Sequence, residues 1–135
     1  KEVVAVTAVD RERNHYRNAN QGSYIDLAAP GVKVWTAVAG HRAGGLQTGT
    51  SFATPYVTAV AASLYRHLPV KSKAGFLRHV AAVDLGPPGP DPIYGRGLIQ
   101  APAGCAPNIG PRIPTPPVAR GATPGVVSAS ITRAQ

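Results

Sequence analysis

The chain has 135 residues, fourteen Lys and Arg against six Asp and Glu, a net charge of +8 and a single cysteine. That length suffices for one modest domain. The lone Cys105 excludes an internal disulfide, and no apolar run reaches the roughly 20 residues of a membrane span. Arg11, Arg13 and Arg17 form a short basic run around His15 and Tyr16. It reads as a solvated loop, and with no aromatic platform or nucleic-acid motif elsewhere, no specific nucleic-acid partner is expected.

In chain order, Glu2 to Val9 is a valine-rich run without clean alternation, which suits a strand covered on both faces in a parallel sheet. Asp10 to Gln21 is polar and reads as a surface loop. Ser23 to Ala29 is a second strand candidate, with bulk from Tyr24, Ile25 and Leu27, and Pro30-Gly31 turns the chain. Val32 to Val38 resumes a β pattern: Val32, Val34, Thr36 and Val38 on one side, Lys33, Trp35 and Ala37 on the other. Gly40 to Gly45 reads as a loop tip, and Leu46 to Thr48 leads into a glycine turn.

That turn opens the most informative stretch, Gly49-Thr50-Ser51-Phe52-Ala53-Thr54-Pro55. Gly49 suits a bend or a close backbone approach. Thr50 and Ser51 are helix-capping types, and Pro55 stands near enough to a helix start to be tolerated. Ala53, Val57, Val60, Ala61, Leu64 and Leu68 recur at steps of three and four, the spacing of one helical face. Ala59 and Ala62 make the other faces small as well, so the helix is expected to be buried nearly all round. A hydroxyl at its mouth would sit at the positive end of the helix dipole. Pro69 ends this helix. A second is predicted over Ser72 to Val83, capped by Ser72, with Phe76, Leu77, Val80 and Ala81 toward the core. Leu85 to Pro92, with four prolines and two glycines, is a rigid loop before a strand around Gly97 to Gln100. The last 34 residues, Pro102 to Gln135, hold seven prolines and four glycines and read as a flexible tail.

Ser51 alone would be an ordinary cap. In context, Gly49 to Pro55 resembles the G-T-S-x-A-x-P nucleophile motif of the subtilisin-like serine proteases (subtilases). Two further pieces match in order: Ala29-Pro30-Gly31 resembles the family's A-P-G segment, and Tyr94-Gly95-Arg96-Gly97-Leu98-Ile99-Gln100-Ala101 resembles its closing strand. The resemblance covers roughly residues 1 to 101. It implies an α/β fold, the C-terminal part of a parallel-sheet sandwich, with residues 102–135 as a separate tail.

The resemblance also implies chemistry. Ser51 would attack a peptide carbonyl, its backbone N–H would be one oxyanion donor, Thr50 would shape the same site, and Thr48 would lie beside the substrate cleft. A serine needs a base and that base an orienting carboxylate, and in subtilisin the order is Asp, His, Ser. Only fifty residues precede Ser51, so the Asp and His motifs and the oxyanion asparagine are expected outside this sequence. His15, His41, His67 and His79 are not expected to serve as the base, nor Asp10 or Asp26 as the acid. The implied partners are a polypeptide substrate and an absent N-terminal part, without which the chain is expected to be inactive and either to fold incompletely or to expose apolar surface. No cofactor is implied; some relatives hold a cation near the region of Asp10, but one carboxylate makes no ligand set. Secretion or the cell envelope is the family's usual location. The alternative reading is a catalytically silent interaction module derived from a protease.

Overall fold

A computed structural model describes residues 2–67 and 72–102 of the chain. Pro69 and almost all of the Pro-rich segment therefore lie outside the described residues. The elements are β1 (Val6–Val9), β2 (Leu27–Pro30), β3 (Val34–Val38), β4 (His41–Gln47), α1 (Thr50–His67), α2 (Lys73–His79), β5 (Ala82–Val83) and β6 (Leu98–Ile99).

Only the second half of the valine-rich N-terminal run forms β1, with Thr7, Ala8 and Val9 buried, while Glu2 and Val3 are exposed and precede the strand. It pairs in parallel with β2, Val6 opposite Leu27 and Val9 opposite Pro30. β2 in turn pairs in parallel with β6, and β6 antiparallel with β5, giving the order β1-β2-β6-β5. The second strand starts later than expected: Tyr24 is exposed, and pairing begins only at Leu27. Its Pro30 closes the strand rather than opening a turn.

The alternation over Val32 to Val38 is realised, with Lys33, Trp35 and Ala37 exposed and the intervening residues half-buried. Of Gly40 to Gly45, expected to be a loop tip, only Gly40 is turn and residues 41–45 are strand. β4 pairs antiparallel with β3, Trp35 opposite Leu46 and Thr36 opposite Gly45, so the turn is confined to Ala39-Gly40. Ladder hydrogen bonds come from the backbone, and glycines with no apolar alternation can still supply them.

α1 packs on the sheet through Ala53 and Val57, both buried, with Val60, Ala61 and Leu64 partly covered. Its opposite side is open: Pro55, Tyr56, Ala59, Ala62 and Tyr65 are exposed. Burial is thus one-sided, contrary to the all-round burial expected, and the chain carries the exposed apolar surface that was its alternative.

The second helix is shorter than predicted. Ser72 caps it, its hydroxyl accepting from the Gly75 N–H at 3.1 Å, and Phe76 is buried. It stops at Val80, whose backbone is extended. Ala81 is exposed, and the β-branched end of the segment pairs as β5 against β6. Asp26 ties the parts together, accepting from the Ala5 N–H at 2.7 Å and pairing with the Lys73 ammonium at 2.7 Å. In the closing motif, a Cβ on Gly97 (φ 100°) would meet Val83 O at 2.1 Å, and one on Gly95 (φ 61°) would meet the Asp26 carbonyl carbon at 2.4 Å. Only glycine lets these backbones approach so closely.

Leu27 has no exposed surface and sits in the centre of the core. Leu27→Ala is expected to destabilise the chain by about 2–5 kcal/mol in urea unfolding. Leu46→Ala, at an exposed position, is expected to change it by no more than about 0.5 kcal/mol.

Candidate active site

Ser51 is exposed at the second residue of α1, reached from β4 through Thr48 and Gly49. Three hydrogen bonds fix this turn. The Lys33 N–H donates to Thr48 Oγ1 at 3.0 Å, the Gly49 N–H to the Gly31 carbonyl at 2.8 Å, and the Phe52 N–H to the Gly49 carbonyl at 3.0 Å.

Gly31 is the residue on which the turn rests. A Cβ there would stand 2.6 Å from Ala8 Cβ, 2.9 Å from Gly49 O and 3.2 Å from Ala53 Cβ. β1, the serine turn and α1 therefore meet where Gly31 has no side chain. At Gly49 the nearest neighbour of such a Cβ would be a Phe52 ring carbon at 3.6 Å, an ordinary contact. The close approach expected at Gly49 is thus found eighteen residues upstream, in the A-P-G segment.

The helix start leaves polar groups open toward the serine. Among the described residues, the Thr50 and Ser51 N–H groups have no hydrogen-bond partner, as the first donors of a helix commonly do not. Pro55 lies in the second turn, and having no N–H it cannot bond the carbonyl of Ser51. Thr54 Oγ1 donates to the Thr50 carbonyl at 3.1 Å, satisfying the neighbouring acceptor. The positive end of the helix dipole falls on these free amides.

A cleft of about 420 Å³ opens in front of this turn, lined by Gly49, Thr50 and Ser51 on one side and by Tyr16, Asn18 and Asn20 on the other. The second wall was missed in the sequence, where Asp10 to Gln21 reads only as polar loop. Backbone bonding folds it back: the Tyr16 N–H donates to Ala8 O at 2.9 Å, and His15 bridges to Val9. Thr48 is exposed, holds Lys33 and does not line this cleft.

His15, His79, Asp26 and Asp10 are engaged elsewhere. His15 Nε2 is 3.0 Å from Thr7 Oγ1, and its ring meets Tyr94 edge-on at 5.9 Å. His79 Nδ1 is 2.8 Å from the Gly75 carbonyl. The backbone of His41 begins β4 and that of Gln47 ends it, so six extended steps separate them by roughly 20 Å. His67 closes α1, sixteen residues and roughly 24 Å beyond Ser51. Asp26 holds Ala5 and Lys73, and both oxygens of Asp10 accept from Asn14, at 2.8 and 3.1 Å. None of His15, His79, Asp10 and Asp26 hydrogen-bonds to Ser51.

A strand delivering a serine through a tight turn to a helix N-terminus, beside a cleft, is an architecture of serine hydrolases. The Subtilase family model, Peptidase S8, matches residues 1–97, and the chain belongs to that family. It is 36% identical over 101 residues to a thermostable alkaline protease of Halalkalibacterium halodurans, a match covering 73% of this chain and 27% of that protein. It is 35% identical over 100 residues to M-protease of Shouchella clausii, covering 74% of this chain and 26% of the relative. The chain thus spans about a quarter of the length of these two proteins. Among solved structures, a lanthipeptide protease superposes with TM-score 0.58 at 28% identity, over 73% of this chain and 39% of that one. The serine protease MycP1 superposes with TM-score 0.61 at 22% identity, over 73% and 29%, a likeness of fold.

Two outcomes follow from the site. Gly31→Ala forces a methyl against a backbone oxygen and is expected to cost about 1–3 kcal/mol in denaturant unfolding, whereas Gly49→Ala should change stability by no more than about 1 kcal/mol. His15 has its pKa lowered by burial, partly offset by the charge of Asp91. The unfolded chain therefore binds the proton more readily, and stability should fall as pH drops below about 6.5, levelling off once the lower folded-state pKa is passed. His15→Gln should flatten that part of an unfolding curve measured from about pH 7 to pH 5.

Proposed function

We propose that Ser51 is the nucleophile of a peptide-bond hydrolase acting by acyl transfer, with the Ser51 N–H as an oxyanion donor and Thr50 shaping the same pocket. The observation that carries this reading is Ser51 itself: exposed at the start of α1, facing a cleft, with two unpaired amides at the positive end of the helix. Attack by Ser51 Oγ on a carbonyl carbon would place the developing oxyanion near those amides, and a single such donor typically contributes about 10²–10³ in rate.

The base that accepts the serine proton, the carboxylate that orients it and any side-chain oxyanion donor are assigned to polypeptide beyond these 135 residues. This is supported by His15 and His79, whose rings are engaged by Thr7 and Gly75, and by the backbones of His41 and His67, which stand at the far ends of β4 and α1. On this reading the assembled enzyme cleaves polypeptides outside the cell or in the envelope, a location that membership of the family supports.

The test is a fluorophosphonate probe, which labels a serine only when its proton is drawn off. The isolated chain is expected to label scarcely faster than free serine. Mixed with a subtilase polypeptide that supplies the Asp and His, it should label at Ser51, and Ser51→Ala should abolish that labelling; in subtilisin, loss of the nucleophile costs about 10⁶ in kcat. Prompt stoichiometric labelling of the isolated chain would contradict the assignment of the base.

A further inference from the structure

A second concavity, of about 540 Å³, lies away from Ser51. Its apolar lining includes Val34, Trp35 and Tyr56, and its rim carries Arg11, Arg13 and Lys33. Trp35 is 62% exposed and Tyr56 43%, so a large part of this aromatic surface faces solvent. Exposed aromatics set among cations are an arrangement that favours a ligand over plain solvation.

Three cations stand against one acid in this groove, which leaves it net positive. None of the three cations pairs with an acid among the described residues. Asp10 also lines the groove; Asn14 holds both its oxygens, and its charge acts on Lys33, offsetting part of the positive charge and leaving the two arginines without a paired acid. Arg13 (φ 70°) and Lys33 (φ 53°) are the described non-glycine residues with positive φ. Such backbone is costly for a residue with a side chain, and it gathers at ligand clamps. Here both instances are cations on one rim.

The groove also presents a strand edge. β3 pairs only with β4, in a separate two-stranded sheet, so one side of its backbone carries unpaired N–H and C=O groups. Val32, Lys33, Val34 and Trp35 all line the groove. Of these, Val34 and Trp35 belong to β3; consecutive strand residues point to opposite faces, so a concavity touching both faces the strand's edge.

We propose that this groove binds an acidic polypeptide segment in extended conformation, which adds as a strand to the free edge of β3 while its carboxylates meet Arg11, Arg13 and Lys33. Strand addition gives the affinity through backbone bonds and leaves specificity to flanking side chains. Nucleic acid would use the same cations but has no amide backbone to pair with β3. The inference is independent of the chemistry assigned to Ser51.

Trp35 is the one tryptophan in the chain, so its emission reports on this groove directly. The full chain would be titrated at low salt with a short peptide of alternating Glu and Val. A saturable blue shift is expected, weakening as salt rises. The same peptide with Lys for Glu should give no shift, and one N-methylated at alternate backbone nitrogens should bind at least about tenfold more weakly. These decisive changes lie in the peptide, so no result depends on a variant folding. Arg11→Glu with Arg13→Glu should weaken the acidic peptide about tenfold. Absence of a saturable shift, equal binding of the Lys or N-methylated peptide, or tighter binding of oligothymidylate than of the acidic peptide would overturn the proposal.

Discussion

The arrangement of this molecule depends on one place where a side chain is absent. At Gly31, the end of β2 comes within contact of Ala8 on β1, the carbonyl of Gly49 and Ala53 on α1. Any Cβ would have to displace backbone, which a packed interior resists. The Gly49 amide closes on the Gly31 carbonyl, so the serine turn is fastened to the sheet rather than held by its own loop. Where Ser51 stands, and what its neighbouring amides face, follows from that contact.

This explains how motifs far apart in sequence form one site. The A-P-G segment is the floor of the serine turn. The closing Y-G-R-G-L-I segment holds β2 from its other side, since the Ala28 N–H donates to the Gly97 carbonyl and the Arg96 N–H to that of Asp26. The sheet that carries Gly31 is thereby set between β1 and β6, and α1 rests upon it through Ala53 and Val57. The outer side of α1, with Ala59, Ala62 and Tyr65, is left open. It offers apolar surface to whatever polypeptide contributes the proposed base.

Much of this was legible in the residues. The three ordered motifs gave the family, the valine run gave a buried parallel strand, and the alternation over Val32 to Val38 gave the correct faces of β3. What escaped was set by backbone pairing or by distant packing. β4 contains Ala43-Gly44-Gly45, which has no side-chain period to read, yet Gly45 pairs with Thr36 while Ala43 and Gly44 fall where the register with β3 shifts. The helix predicted to Val83 ends at His79 because its last residues pair with β6, a contact with no local signature. The cleft wall at Tyr16, Asn18 and Asn20 exists only because the loop folds back on β1. The steric demand assigned to Gly49 belonged to Gly31, since a glycine in a motif does not say which backbone it meets.

Native-state hydrogen exchange at the Gly49 amide tests the central claim most directly. If the turn is fastened to Gly31, that amide should exchange as slowly as the Ala28 amide in the middle of the sheet, opening only with the sheet itself. The neighbouring Thr50 and Ser51 amides, which have no partner among the described residues, should exchange far faster. Exchange at Gly49 as fast as at Thr50 and Ser51 would mean that the serine turn moves independently of the sheet, and the account would be wrong at its foundation.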